Sequence, residues 1–70
     1  MSEVKASMAG SMWKIIVKVG DTVAAGEDVA ILESMKMEIP IAAEEAGIVE
    51  EIKVHEGDFI NEGDVIVVIK

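Results

Sequence analysis

A chain of 70 residues with 51% hydrophobic residues, no cysteine, one tryptophan, one phenylalanine and no tyrosine reads as one small domain. Neither disulfides nor thiolate-bound metal can staple it, and its core must be mostly aliphatic. The net charge of −8, from 14 acids against 6 basic residues, disfavours nucleic-acid backbones and anionic membrane surfaces. The apolar runs are too short to span a bilayer, and the first residues, which include Glu3, hold no apolar leader. We therefore expect a cytoplasmic protein that binds neither nucleic acid nor membrane.

The elements follow an internal repeat in which the chain matches itself at an offset of 37, carrying Ala9-Gly10 onto Ala46-Gly47. The first half opens at Ala9-Gly10 and runs through a strand-like Ile15-Ile16-Val17. It turns at Gly20-Asp21, passes the short apolar piece at Val23, turns again at Gly26 and enters a second run at Val29–Leu32. An extended run, Ile39–Ala43, follows. The second half repeats the order with Ile52-Lys53-Val54, Gly57-Asp58, Ile60, Gly63 and the β-branched run Val65–Ile69. Glycines supply the backbone angles of tight turns, and short Val/Ile-rich pieces suit a pleated sheet. Many short strands with regular turn signals predict an all-β barrel or sandwich, and two equivalent halves predict a pseudo-twofold axis.

One segment argues locally against that reading. Glu27–Ile39 is rich in helix formers, with Val29, Leu32, Met35 and Ile39 near a helical stripe. Its repeat mate, Val65–Ile69, is a strand by composition. Equivalence of the halves predicts a strand at Val29–Leu32, because tertiary context overrides the propensity of a short segment.

Lys36 then falls where one strand ends and the next begins, on an exposed hairpin tip. A lysine that must be acylated needs such a position, because another protein's active site has to enclose it. Met35-Lys36-Met37, within Glu33-Ser34-Met35-Lys36-Met37-Glu38, resembles the biotin acceptor motif of the biotinyl/lipoyl attachment domain family. The framework glycines Gly20, Gly26, Gly47 and Gly57 match that family in spacing, and the resemblance covers Val4–Ile69. It is greatest to the short, stand-alone bacterial members. Many members have alanine where this chain has Ser34, and nothing here is long enough for the thumb insertion of some carriers.

The resemblance implies a single domain over residues 1–70. The expected fold is a flattened barrel of two four-stranded antiparallel sheets, with the acceptor lysine on a hairpin tip. It implies biotin held as an amide on Lys36. At a hairpin tip Met35 and Met37 are expected to be ligase and biotin contacts rather than core fillers. Glu33, Ser34 and Glu38 are assigned to ligase recognition, with solubilising charge the alternative for Glu33 and Glu38. A biotin protein ligase would activate biotin as an acyl-adenylate. The loaded chain would carry carboxylate, as carboxybiotin, between the biotin carboxylase and carboxyltransferase components of a biotin-dependent carboxylase. An ordinary lysine amine is protonated at neutral pH, and the motif offers only Glu33 and Glu38, so the ligase must remove the proton. Such a chain is a monomeric carrier and not itself an enzyme.

A lipoyl carrier for a 2-oxo acid dehydrogenase or the glycine cleavage system, loaded by a lipoyl ligase, is the alternative. Lipoyl domains commonly have an acid before the lysine, whereas this chain has Met35. An unmodified adaptor of the same fold is a third reading, against which the intact motif weighs. His55 reads as a surface strand residue without a catalytic constellation. The acids match no metal-loop spacing. Trp13 aligns with Glu50 across the repeat and is expected to be partly exposed, with no assigned function. The remaining lysines read as solvated.

Overall fold

The computed structural model describes residues 2–70, and every regular element in it is a strand. In chain order these are β1 (Ser2–Lys5), β2 (Gly10–Ile15), β3 (Thr22–Val23), β4 (Asp28–Ser34), β5 (Met37–Ala42), β6 (Gly47–Ile52), β7 (Phe59–Ile60) and β8 (Val65–Ile69). They form two antiparallel four-stranded sheets in the orders β1-β8-β6-β3 and β5-β4-β2-β7. The offset of 37 residues carries β2 onto β6, β3 onto β7 and β4 onto β8, and places β5 where β1 lies in the other sheet. The repeat in the sequence is therefore the exchange of one sheet for the other, the expected pseudo-twofold relation.

The segment with helical propensity forms β4 and β5. Val29, Ala30 and Leu32 of β4 are buried to completion, and burial in a two-sheet core outweighs a weak local preference. The core is aliphatic apart from Met12: Met12, Val23, Leu32, Val49, Ile60, Ile66 and Ile69 are each 1% exposed or less. No charged or polar residue is buried among the described residues. Two runs end earlier than expected. Ile16 and Val17 continue past the end of β2, and Lys53 and Val54 past the end of β6, without belonging to a strand. His55 is likewise not in a strand. It opens the turn that leads to β7, with its side chain 91% exposed.

Four turns share one construction. Gly20, Gly26, Gly57 and Gly63 all take positive φ, between 85° and 97°, as the third residue of a type II turn requires. The acid that follows each glycine reaches back to the first residue of its turn. Asp21, Glu27, Asp58 and Asp64 carboxylates accept the backbone N–H of Lys18, Ala24, His55 and Asn61 at 2.8–2.9 Å. The Gly-acid pairs in the sequence are thus closed turns in which the side chain satisfies a backbone donor.

Gly10 has a different reason. A Cβ there would sit 2.5 Å from the carbonyl oxygen of Glu33, and at Gly47 one would sit 2.5 Å from that of Lys70. The missing side chain lets β2 lie close against the end of β4, just before the chain reaches Lys36.

Candidate functional site: the β4–β5 hairpin

Strands β4 and β5 pair from Asp28↔Ala42 to Ser34↔Met37, which leaves Met35-Lys36 as a two-residue loop. Leu32 is buried and Ile39 packs against the core, while Glu33 and Glu38 face outward. This alternation fixes the register, because a slip of one residue would turn the apolar set toward water. A two-residue loop at that register calls for a type I′ turn, whose twist matches the strands and whose two central residues both need positive φ. Met35 and Lys36 adopt φ of 51° and 64°, the only non-glycine residues at positive φ among those described. L-residues with side chains pay about 1–2 kcal/mol each for that conformation. Asparagine and glycine would have relieved it, so the turn keeps its methionine and lysine against a local cost, a pattern that clusters at functional positions.

The hairpin brings together all six residues singled out from the sequence. Lys36 is exposed at the apex and belongs to none of the ion pairs found among the described residues. Met35 is 90% exposed and Met37 62% exposed, so neither fills the core, unlike Met12. Ser34 is half-buried opposite Met37, and Glu33 lies directly opposite Glu38 one pair further down. No group of three or more potential metal ligands occurs among the described residues. The site is a projecting primary amine with apolar, mobile-bonded neighbours and two carboxylates behind it. Such an arrangement leaves the amine accessible from outside, and the Lys36 side chain takes part in no hydrogen bond or ion pair found among the described residues. An amide through Lys36 fits this geometry, since the acyl group would extend into solvent from the apex.

Two features of the site were not read from the sequence. One is the left-handed backbone of Met35 and Lys36. Its signal is the placement of Leu32 and Ile39 at equal distances from the Met35–Lys36 bond, which leaves two residues for the turn. The other is that Phe59, 68% exposed, lies on the outer side of the hairpin's own sheet beside Trp13, whose expected partial exposure is observed at 41%.

Comparison with known proteins agrees with this geometry. A family model described as biotin-requiring enzyme matches residues 2–69. The biotin/lipoyl attachment protein of Bacillus subtilis is 62% identical over 63 residues, which span 90% of this chain and 86% of that protein. The biotinylated protein TB7.3 homolog of Mycobacterium leprae is 45% identical over 67 residues, covering 96% of this chain and 94% of its own length. Among solved structures, the Kluyveromyces lactis urea carboxylase superposes with a TM-score of 0.93 at 36% identity. That match takes in 99% of this chain but only 6% of the carboxylase. With its sheets, its hairpin and its sequence all in agreement, the chain belongs to the biotinyl/lipoyl attachment domain family.

Proposed function

We propose that the chain is a biotin carrier that holds its cofactor as an amide on Lys36 and takes carboxylate from one active site of a biotin-dependent carboxylase to another. The observation that carries this reading is the exposed Lys36 amine at the apex of a strained two-residue turn between exposed methionines. In the loading step the amine nitrogen attacks the carbonyl of biotinyl-adenylate, the C–N bond forms, and AMP leaves. The amine proton passes to a base of the ligase, because the hairpin has none in place. Once attached, biotin supplies a ring nitrogen that can accept and release carboxylate. The chain's own part is to hold the arm on a rigid body and keep it in solvent. Tethering turns each visit to an active site into an encounter at high effective concentration.

On this reading Met35 and Met37 are apolar contacts for the ligase, and Glu33, Ser34 and Glu38 form the recognised rim behind them. The chain acts as a monomer in the cytoplasm and turns nothing over alone. Its partners are a biotin protein ligase and the biotin carboxylase and carboxyltransferase components. No helix in the described residues is long and apolar enough to cross a membrane. A lipoyl carrier is the second reading. It is favoured by the name of the Bacillus subtilis relative, which couples biotin with lipoyl, and by an amine chemistry common to both acyl groups.

The test is intact mass after incubation with biotin, ATP and a biotin protein ligase. We expect a gain of one biotinyl group that Lys36→Arg removes. No gain, or a gain that survives Lys36→Arg, overturns the assignment. The same incubation with lipoate and a lipoyl ligase decides the second reading.

A further inference from the structure

The two sheets are equivalent in backbone, so each surface position has a mate on the other sheet against which it can be compared. On the outer side of the hairpin's sheet, one row of paired residues runs Phe59, Ser11, Glu33, Glu38. The next holds Lys14, Ile31 and Pro40, with Trp13 extruded beside Lys14 by the β-bulge in β2. The buried Met12, Leu32 and Ile60 point the other way, into the core. Trp13, Ile16 and Phe59 are 41%, 51% and 68% exposed. The mates of Trp13, Lys14, Ile16, Pro40 and Phe59 at the offset of 37 are Glu50, Glu51, Lys53, Glu3 and Thr22. There Glu3, Glu50, Glu51 and Lys53 line one shallow groove with Val68, the mate of Ile31, and Glu51 pairs with Lys53 at 3.2 Å.

The same fold therefore carries a mostly charged face, with Ile48 exposed at its β3 edge, on one sheet and an apolar, aromatic face on the other. Folding does not require Trp13, Ile16, Pro40 and Phe59 to be apolar, since charged or polar residues occupy their equivalent positions; only Ile31 has an apolar mate, Val68. An exposed apolar patch without a folding role marks a contact surface, and tryptophan is foremost among anchor residues. The Lys14 ammonium lies 4.8 Å from the centre of the Trp13 ring, a cation–π contact that holds the indole in place before any partner arrives.

Three observations select the occupant. The five apolar side chains together expose on the order of 400 Å², about half of the ~800 Å² per partner that a stable interface needs. A net charge of −8 also opposes pairing with a second copy. The patch therefore suits a contact that forms and releases. It is also continuous with the hairpin, because the row that starts at Phe59 ends at Glu33 and Glu38 behind Lys36. An enzyme that acylates Lys36 must bring the amine itself to bonding distance, so its surface has to descend over the hairpin and the adjoining sheet. An enzyme that meets only the far end of the attached arm has no such need.

Resting on the biotin reading above, we infer that the outer face of the β5-β4-β2-β7 sheet, anchored by Trp13 and Phe59, is the docking surface for the enzyme that acylates Lys36. The complementary surface offers an apolar shelf to Trp13 and Phe59 and cationic groups to Glu33 and Glu38.

The experiment gives the apolar face the residues of its mates. Trp13→Glu and Phe59→Thr are made singly and together in the full chain, with Glu50→Trp on the opposite sheet as control. Biotinylation kinetics are measured with a biotin protein ligase, biotin and ATP, and folding is checked by NMR. We expect KM for the carrier to rise at least tenfold in the double variant, with kcat within about twofold of wild type and Glu50→Trp unchanged. A folded double variant with unchanged KM overturns the docking face and leaves the biotin reading intact. Failure of the wild type to accept biotin overturns both. Sedimentation that shows a wild-type dimer lost in Trp13→Glu also overturns the inference, and assigns the face to a second copy. If one variant fails to fold, the other decides.

Discussion

Glu33 and Glu38 stand directly opposite each other across the β4–β5 ladder, both exposed, and neither is in an ion pair found among the described residues. Like charges in that position repel, by about 0.2–1 kcal/mol on the scale of cross-strand pairs. We expect Glu38→Gln to raise the unfolding free energy measured in urea by an amount in that range while lowering the initial rate of biotinylation. A stabilised chain that is a poorer substrate would mean that the acids serve recognition at the expense of the fold. If biotinylation is unaffected, the rim has no role in the ligase contact.

The left-handed turn makes a second trade of the same kind. Asparagine tolerates the conformation that methionine resists. Met35→Asn is therefore expected to stabilise the chain by about 1 kcal/mol, measured by urea unfolding. The same substitution removes a side chain that is 90% exposed beside the acceptor, so the rate of acylation should fall. A loss of stability would show that Met35 makes a contact worth more than the strain.

Close approach and backbone angle are separable at the glycines. Gly10→Ala should cost about 1–3 kcal/mol, because its Cβ would press on the Glu33 carbonyl at the base of the hairpin. Gly20→Ala meets open space but keeps φ near 97°, and should cost about 1–2 kcal/mol from strain alone. Replacement by asparagine should recover part of the loss at Gly20 and none at Gly10. Equal recovery at both sites in denaturant titrations would contradict the distinction.

The pseudo-twofold relation also makes a prediction about energies. Asp21 and Asp58 occupy equivalent turns and accept equivalent bonds, at 2.8 and 2.9 Å. Removing either carboxylate by substitution to alanine should cost about 0.5–1.5 kcal/mol, the net worth of one such bond. The two losses should agree within a few tenths. A large difference between the two midpoints would show that the turns are equivalent in shape but not in load.

The glycine-acid pairs and the repeat made the recurrence of six of the eight strands legible, since β2 with β6, β3 with β7 and β4 with β8 recur at the offset, although β2 and β6 share only Ile15 and Ile52 with the runs expected there. The same repeat resolved Glu27–Ile39, where helix formers lie in two strands because Val29, Ala30 and Leu32 are needed in the core. The position of Lys36 between two extended runs was equally plain. What could not be read one residue at a time was pairing. The end of β2 at Ile15, the bulge that turns Trp13 outward and the positive φ of Met35 and Lys36 all depend on which strand lies alongside. His55 left the expected strand for the same reason: β6 stops pairing at Ile52, and the chain is already turning toward β7.

The placement of Trp13 makes the chain its own optical probe. With one tryptophan, no tyrosine and an exposed phenylalanine, the interior contains no chromophore, and intrinsic emission comes from the outer face alone. Unfolding would shift that emission to the red, because the indole is only 41% accessible in the folded chain, the opposite sense to docking. A partner that closes over the face would move the indole into an apolar setting. Blue-shifted, quencher-protected emission would then report complex formation without any label, and separate binding at the sheet from chemistry at the lysine.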